Sequence, residues 1–338
     1  MASPIISMPA PIQNVGGQAV IEGVMMRAGA GVSVAVRRPS GEIVIRANAS
    51  PTLGERFPIF KLPLLRGVVV LVETLLIGVE ALGFSAEQVE AKAGDPVSAK
   101  PTGSNLGTSL SLAIALIAGL TLFVALPHSL SILAGMAFGG FALESPVFHI
   151  VAGAFKLGIF VGYLALLSLL KDVRRVFMYH GAEHKVIATF EANEPLDVEH
   201  ARTHTTFHAR CGTSFLLVVV VVAIVVFAML LPLLGLKNEM LGHVTAVLIK
   251  VPLLLPIAAL AYELNRYAAK HLNNPLVRLF VAPGFLMQRL TTREPTDEML
   301  EVALASLVAA LKQKATGSVQ AANVAIYQDF ADVTRRVV

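Results

Sequence analysis

Long apolar stretches recur through the middle of the chain, separated by polar or basic segments. Each has roughly the 20 apolar residues that a helix needs to cross a bilayer core. The four clearest stretches are residues 107–126, 146–170, 214–235 and 243–262. The sequence therefore predicts a mainly α-helical, polytopic membrane protein with about four transmembrane helices.

A further apolar segment, residues 62–92, differs because it carries charged side chains along its length. Arg66, Glu73 and Glu80 follow one another at intervals of seven residues, which places them on one face of a helix. Such a helix either lies at the membrane interface or packs its charges against protein. Whether it also spans the bilayer is left open. Residues 93–106 contain the Gly, Pro and Ser that are typical of a linker.

The two ends of the chain predict smaller units. Short β-branched runs at 32–36 and 43–45 flank turn-forming residues, which predicts a β-hairpin within a small β unit. Glu22 in this unit either packs at a strand end or reaches the site described below. Near the C-terminus, residues 296–314 predict a helix that docks on the cytoplasmic part or on a partner chain. Its apolar face consists of Leu300, Leu304, Leu307, Val308 and Leu311.

Composition agrees with a membrane protein, because 55% of the residues are hydrophobic and only 15% are charged. The mean hydropathy is +0.70. A net charge of +4 is too small and too dispersed to predict nucleic-acid binding. One cysteine cannot form an internal disulfide.

Basic residues predict the orientation in the membrane. The segment 171–213 holds many Lys and Arg residues, whereas 127–145 holds none. Since Lys and Arg favour the cytoplasmic side, we expect 171–213 and both termini to lie in the cytoplasm, in a multi-pass protein of the inner (plasma) membrane. The predicted regions are a β-rich unit (1–50), a helix and linker (51–106), a transmembrane hairpin (107–170), a His/Cys segment (171–213), a second hairpin (214–262) and a helical tail (263–338).

The segment 171–213 also contains a candidate metal site. His180 and His184 are four residues apart, so on a helix their Cβ atoms lie roughly 6 Å from each other on one face. With Glu183 they form the His-x-x-Glu-His pattern of inverted zincins. Two such imidazoles can hold one divalent ion, and the carboxylate can bind it or act as a general base. The alternative is a polar helix face whose histidines meet headgroups or backbone carbonyls.

A second group of metal-ligating residues follows. His200, His204 and His208 recur every four residues and Cys211 comes three later, so all four share a face if residues 196–211 are helical. His208 or Cys211 then completes a three- or four-ligand zinc site with the first pair. The alternative for Cys211 is a small buried residue before a turn.

An acidic ligand set would change the expected metal. Iron or manganese fits better than zinc if Glu183 and Glu191 are ligands and Cys211 is not. Glu191, however, is about 16 Å of helix beyond His180, so on a straight helix it cannot share an ion with that histidine.

Several of these blocks together resemble the YqhQ-like family of bacterial membrane proteins, a family of unknown function that is labelled a predicted metal-dependent enzyme. The resemblance is carried by GGQAVIEGVMMR (16–27), YHGAEHK (179–185), HARCGTSF (208–215), LTTREP (290–295) and EVA (301–303). It implies a metal-dependent activity. Similar proteins commonly have proline at the position of Ala209, so the turn before Arg210 is less rigid here.

Three functions are left open by the sequence. The first is a metal-dependent hydrolase at the cytoplasmic surface, with Glu183 as general base and Arg210 stabilising negative charge. Its expected partner is the lipid bilayer and its substrates are lipids or membrane proteins. The second is a non-catalytic scaffold or assembly factor with a structural metal, and a homo-oligomer is left open. The third, an ion or metal transporter, is disfavoured because the spans lack a continuous polar stripe and Lys156 and Lys250 are expected to snorkel.

Overall fold

One antiparallel sheet and a bundle of long helices make up the part of the chain described by a computed structural model, residues 15–92, 95, 97, 106–138, 140–316 and 323–337. The linker expected over 93–106 lies largely outside these residues. The strands are neighbours in chain order, and they are β1 (Val15–Val20), β2 (Gly23–Ala28), β3 (Gly31–Arg37), β4 (Ile43–Ala49) and β5 (Asn323–Tyr327).

The predicted β-hairpin is confirmed. Strands β3 and β4 pair from Arg37 opposite Ile43 onwards, and Gly41 in the turn has a φ of +92°. The fifth strand was not predicted. It comes from the tail that we expected to be helical, and it pairs Tyr327 with Ile43 on the free edge of β4.

Helices account for most of the remaining described residues. They are α1 (Leu53–Arg56), α2 (Leu65–Glu90), α3 (Leu106–Leu120), α4 (Leu126–Ala137), α5 (Pro146–Leu167), α6 (Lys171–Glu191), α7 (Val198–Thr203), α8 (Gly212–Leu230), α9 (Met240–Lys270), α10 (Pro275–Thr291), α11 (Asp297–Thr316) and α12 (Phe330–Val337). Short 3-10 turns lie at Pro58–Lys61 and Leu231–Leu234, and a π-helical turn over Thr121–Ala125 joins α3 to α4.

The polytopic α-helical architecture is confirmed. Within the described residues, five helical segments are long and apolar enough to cross a membrane. Four of them coincide with the predicted spans and are Leu110–Ala137, Pro146–Leu167, Gly212–Leu234 and Met240–Lys270. The first is longer than the predicted span 107–126, because the helix continues through the π-helical turn as far as Ala137.

The fifth segment, α2, packs its charged stripe against protein. Glu73 forms an ion pair with Arg27 of β2 at 3.3 Å, and Glu80 forms one with Arg46 of β4 at 3.1 Å. Arg66, at the other end, pairs with Glu263 of α9. In addition, Ala81 and Phe84 are buried in an apolar cluster on this face of the sheet. The C-terminal half of α2 therefore lies against the sheet, as expected of a packed amphipathic helix.

Helix α11 fills the opposite face of the sheet. Its apolar side chains, among them Leu300, Leu304 and Leu307, form one buried cluster with β-strand residues and with Tyr179 and Val186 of α6. A buried hydrogen bond from Ser33 Oγ to the Ser306 carbonyl, 2.5 Å long, ties α11 to β3. The predicted apolar face thus docks on the chain's own sheet, and α6 is packed between the sheet and α11.

Candidate metal centre

His180 and His184 lie on the face of α6 that points away from α11. Their ring centroids are 4.4 Å apart, as expected for two imidazoles one helical turn from each other. His184 is 1% exposed, whereas His180 is partly exposed. The His184 end of the pair is therefore shielded from solvent, whereas the His180 end is partly open to it.

Cys211 faces this pair from the start of α8. It is the residue before the first turn of that helix, and its thiol lies 3.4 Å from Nε2 of His180. One ligand atom each from His180, His184 and Cys211 lies within 4.8 Å of the other two. Donors bound to one zinc ion at about 2.0–2.3 Å are roughly 3.5 Å from one another, so the three atoms need to approach by only about 1 Å.

The outer nitrogen of each imidazole is held by a backbone carbonyl. Nδ1 of His180 lies 2.8 Å from the carbonyl oxygen of Thr291, and Nδ1 of His184 lies 2.6 Å from that of Thr206. A carbonyl can only accept, so each Nδ1 carries the proton and each Nε2 keeps a free lone pair. This is the arrangement by which metal-binding histidines are oriented in proteins.

Gly181 is required for this arrangement because the chain after α10 crosses α6 at that position. A Cβ atom at residue 181 would overlap the carbonyl oxygen of Arg293. The Arg293 N–H donates to the carbonyl of Phe177 at 2.9 Å, which fixes the crossing. The absence of a side chain at Gly181 therefore brings the Thr291 carbonyl within reach of His180.

A buried glutamine holds the loop that leads to Cys211. Gln288 of α10 accepts a hydrogen bond from the His208 N–H and donates one to the His208 carbonyl, both at 2.9 Å. Its amide also donates to Ser214 Oγ at 2.8 Å. Sequence reasoning missed Gln288, Thr206 and the carbonyl of Thr291, although the LTTREP block marked that region.

His208 and Glu191 lie beside the three ligand atoms, but they are not among them. Nε2 of His208 is 3.2 Å from a Glu191 carboxylate oxygen, and Arg210 forms an ion pair with the other oxygen. The His208 ring remains close to the centre, with its centroid 5.6 Å from that of His184. Glu191, at the last turn of α6, thus pairs with two residues of the Cys211 loop.

The condition that residues 196–211 are helical, under which the three histidines and Cys211 would share a face, is met only over Val198–Thr203. Two of these histidines have acidic partners close in sequence. His200 pairs with Asp197 at 2.8 Å and His204 pairs with Glu194 at 2.7 Å. Asp197, which caps α7, raises the pKa of His200. Neither histidine joins the ligand cluster.

Glu183 points from α6 towards strand β1. Its side chain is 6% exposed, and a Cβ atom on Gly17 would lie 2.9 Å from its Cγ. Burial raises the pKa of Glu183, while positive charge on His180 and His208 and the Gly17 N–H act in the opposite direction. Burial also lowers the pKa of His184 and His208. The carboxyl is therefore a neighbour of the cluster that is shielded from solvent.

The carboxylate of Glu22 reaches the helix that carries the histidines, but not the ligand atoms. It forms a two-pronged ion pair with Arg175 and accepts a hydrogen bond from Tyr179 Oη at 3.3 Å. Burial and this carboxylate raise the pKa of Tyr179. Glu22 thus anchors α6 to the β1–β2 turn one residue before His180.

Comparison with known proteins places the chain in a family. The model of the family described as "Protein of unknown function (DUF1385)" matches residues 62–313. The uncharacterized protein YqhQ of Bacillus subtilis (strain 168) is 33% identical over 316 residues, which cover 89% of this chain and 93% of that protein. No solved structure matches the chain. With the family model covering most of the chain and this relative nearly all of it, the protein belongs to the YqhQ-like DUF1385 family, whose function is unknown.

Proposed function

We propose that His180, His184 and Cys211 hold a divalent metal ion, and that the protein is a metal-dependent hydrolase acting at the membrane surface. The observation that carries the proposal is the convergence of three ligand atoms from two separate elements within 4.8 Å. Two imidazoles and a thiolate favour zinc over iron or manganese, since no carboxylate oxygen is among the three. Three protein ligands leave the fourth position of a tetrahedral site open, as in catalytic zinc sites.

The groups around the cluster suit a hydrolytic reaction. A zinc ion bound there would supply Lewis acidity, which polarises an ester or phosphate and makes water more acidic. Glu183, next to His184 in sequence and shielded from solvent, would take a proton from that water. Arg210, held by Glu191, brings a guanidinium that can stabilise negative charge on the substrate.

The position of the site favours an amphiphilic substrate. Cys211 directly precedes the membrane helix α8, so the centre lies where that helix leaves the bilayer. An apolar groove of about 470 Å³ lies alongside, lined by Phe207, Ala282, Phe285, Leu286 and Arg289. A groove with apolar walls and one cation fits the acyl part and anionic headgroup of a lipid phosphate. The Lys and Arg residues of segment 171–213 support a cytoplasmic position for this surface at the plasma membrane.

A structural metal in a scaffold or assembly factor is the second candidate. His208 favours it, because the ring lies 5.6 Å from His184 and could become a fourth ligand if it left Glu191. Four protein ligands would close the site, as in structural zinc sites. The two candidates therefore differ in the ligand number.

The test combines metal content with activity. The wild-type protein is purified with bound metal, reconstituted in lipid nanodiscs and assayed with bis-(p-nitrophenyl) phosphate and a short-chain p-nitrophenyl ester. Glu183→Gln should keep the metal and lose about 10²–10⁴-fold in rate, the usual contribution of a general base. His204→Ala, which removes a histidine outside the cluster, should change neither.

Two results would contradict the hydrolase proposal. If Glu183→Gln is as active as wild type, the carboxylate is not the base. If the loaded wild-type protein hydrolyses neither probe and His208→Ala lowers the metal affinity as much as His184→Ala, the site is closed and the scaffold candidate is favoured.

A further inference from the structure

A second cluster of titratable side chains lies inside the membrane-spanning bundle. Helices α5 and α9 carry the same pattern, a histidine near the first turn and a lysine seven residues later, which places both on one face. The pairs are His149 with Lys156 and His243 with Lys250. Each lysine lies about 15 Å along the axis from the first residue of its helix. That distance is half the thickness of a 30 Å bilayer core.

These two pairs meet each other and a histidine of α4. Lys250 Nζ is 2.9 Å from Nδ1 of His128, whose Nε2 is 3.2 Å from Nδ1 of His243. Nε2 of His149 donates to the Leu143 carbonyl at 3.1 Å, and its Nδ1 is buried without a hydrogen-bond partner. Five basic groups therefore converge from three helices.

Both lysines are buried, which corrects the expectation that they snorkel. Lys156 is 8% exposed and Lys250 is 4% exposed. Their ammonium groups lie 5.1 Å and 5.6 Å from the ring centroid of Phe227, on α8. Within the described residues neither lysine forms an ion pair with a carboxylate, and the ammonium group of Lys156 faces the aromatic ring of Phe227. A buried cation without a counter-charge is strongly unfavourable. A bound anion would therefore stabilise this cluster.

The cluster encloses a small cavity that such a partner could occupy. His128, His149, Lys156 and Lys250 contribute its polar wall, and Phe227 and other apolar side chains complete it. The free space is about 10 Å³, roughly that of one water molecule. A single-atom anion is little larger than a water molecule and needs only a small outward shift of the two lysine side chains, whereas a lipid phosphate or a carboxylic acid is far too large. Phe227 lies about 24 Å of helix beyond Cys211, so this cavity is separate from the metal centre.

We propose that this cavity is a binding site for a halide-sized inorganic anion, which is held between Lys156 and Lys250 near the middle of the bilayer. The two ammonium groups supply the charge and donate hydrogen bonds to the anion.

The test compares the purified wild-type protein in sodium chloride and in sodium gluconate at equal ionic strength. Chloride should raise the Tm saturably, and ³⁵Cl NMR of the same sample should show line broadening that bromide displaces. Lys156→Met and Lys250→Met should each raise the half-saturating chloride concentration at least tenfold. In gluconate both variants should unfold at or above the wild-type temperature, because an unpaired buried charge has been removed.

Lys237→Gln is the matched control, since this lysine lies exposed in the loop between α8 and α9, and it should keep the full chloride response. The proposal is overturned if wild-type Tm and ³⁵Cl line width are indifferent to chloride, or if the response survives in the Lys156→Met, Lys250→Met double variant. The wild-type comparison alone decides the matter if either variant fails to fold.

Discussion

The thiol of Cys211 lies 3.4 Å from Nε2 of His180, although 31 residues separate them along the chain. The contact joins the start of a membrane helix to a helix that is packed between the sheet and α11. Its geometry depends on three supports: the carbonyls of Thr291 and Thr206, the missing side chain at Gly181 and the Gln288 clamp. The supports at Gly181 and Gln288 can each be removed by a single substitution, so the proposed metal centre is open to test.

Removing the sulfur ligand should abolish tight zinc binding. Cys211→Ser keeps the size of the side chain but replaces a thiolate with a hydroxyl, a poor zinc ligand at neutral pH. We expect the zinc affinity to fall more than about 100-fold, beyond the 10–100-fold typical of outer hydrogen-bond partners. Competition titration with a chelating dye measures this affinity. His204→Ala should bind zinc like the wild type, and equal affinities for Cys211→Ser and wild type would exclude the thiol as a ligand.

A methyl group at residue 181 should separate His180 from its carbonyl partner. Because a Cβ atom there overlaps the Arg293 oxygen, Gly181→Ala must push the 291–293 segment away from α6. We expect a loss of stability of about 1–3 kcal/mol, as for other overpacked positions, together with weaker zinc binding. Thermal unfolding and zinc titration of the same samples measure both.

Gly158→Ala is the appropriate comparison for that variant. Gly158 is also inside a helix, α5, but a Cβ atom there meets nothing within 4 Å. It should leave both the Tm and the zinc affinity close to wild type. A Gly181→Ala protein that matches Gly158→Ala in both measurements would show that the crossing at residue 181 does not position the site.

The Gln288 side chain should act on metal binding from outside the ligand set. Gln288→Leu leaves the N–H and carbonyl of His208 without their partners, which frees the loop before Cys211. We expect zinc affinity to fall about 10–100-fold, the range for residues that orient ligands. Gln88→Leu removes another buried glutamine, one that holds Arg38 in the sheet, and should lower stability without this loss of affinity. Parallel losses of affinity in both variants would indicate a general effect of destabilisation.

Local patterns predicted much of this structure because they depend on spacing alone. The spans follow from apolar length, and the shared face of His180 and His184 follows from helical periodicity. The sequence could not choose between His208 and Cys211 as a partner, because that choice depends on where α7 ends. A helix continuing past Thr203 would have aligned all four residues, whereas the irregular segment of bends and a turn that follows presents Cys211 to His180 and His184.

Contacts between segments that are distant in the chain could not be predicted from local sequence patterns. Strand β5 has an unremarkable composition, and its pairing with β4 depends on how α11 crosses the sheet. The convergence of Lys156 and Lys250 could likewise not be predicted, because the sequence around each lysine is compatible with a side chain that snorkels from its own helix. Only the packing of α5, α8 and α9 brings both to Phe227.

X-ray absorption at the zinc edge of the purified, zinc-loaded protein tests the central claim most directly. The proposed centre predicts one equivalent of zinc with one sulfur at about 2.3 Å, two imidazole nitrogens at about 2.0–2.1 Å and one further light atom. Cys211→Ser should remove the sulfur shell. A protein that binds no stoichiometric metal, or whose bound zinc shows a sulfur-free shell in the wild type, would contradict a His180–His184–Cys211 centre.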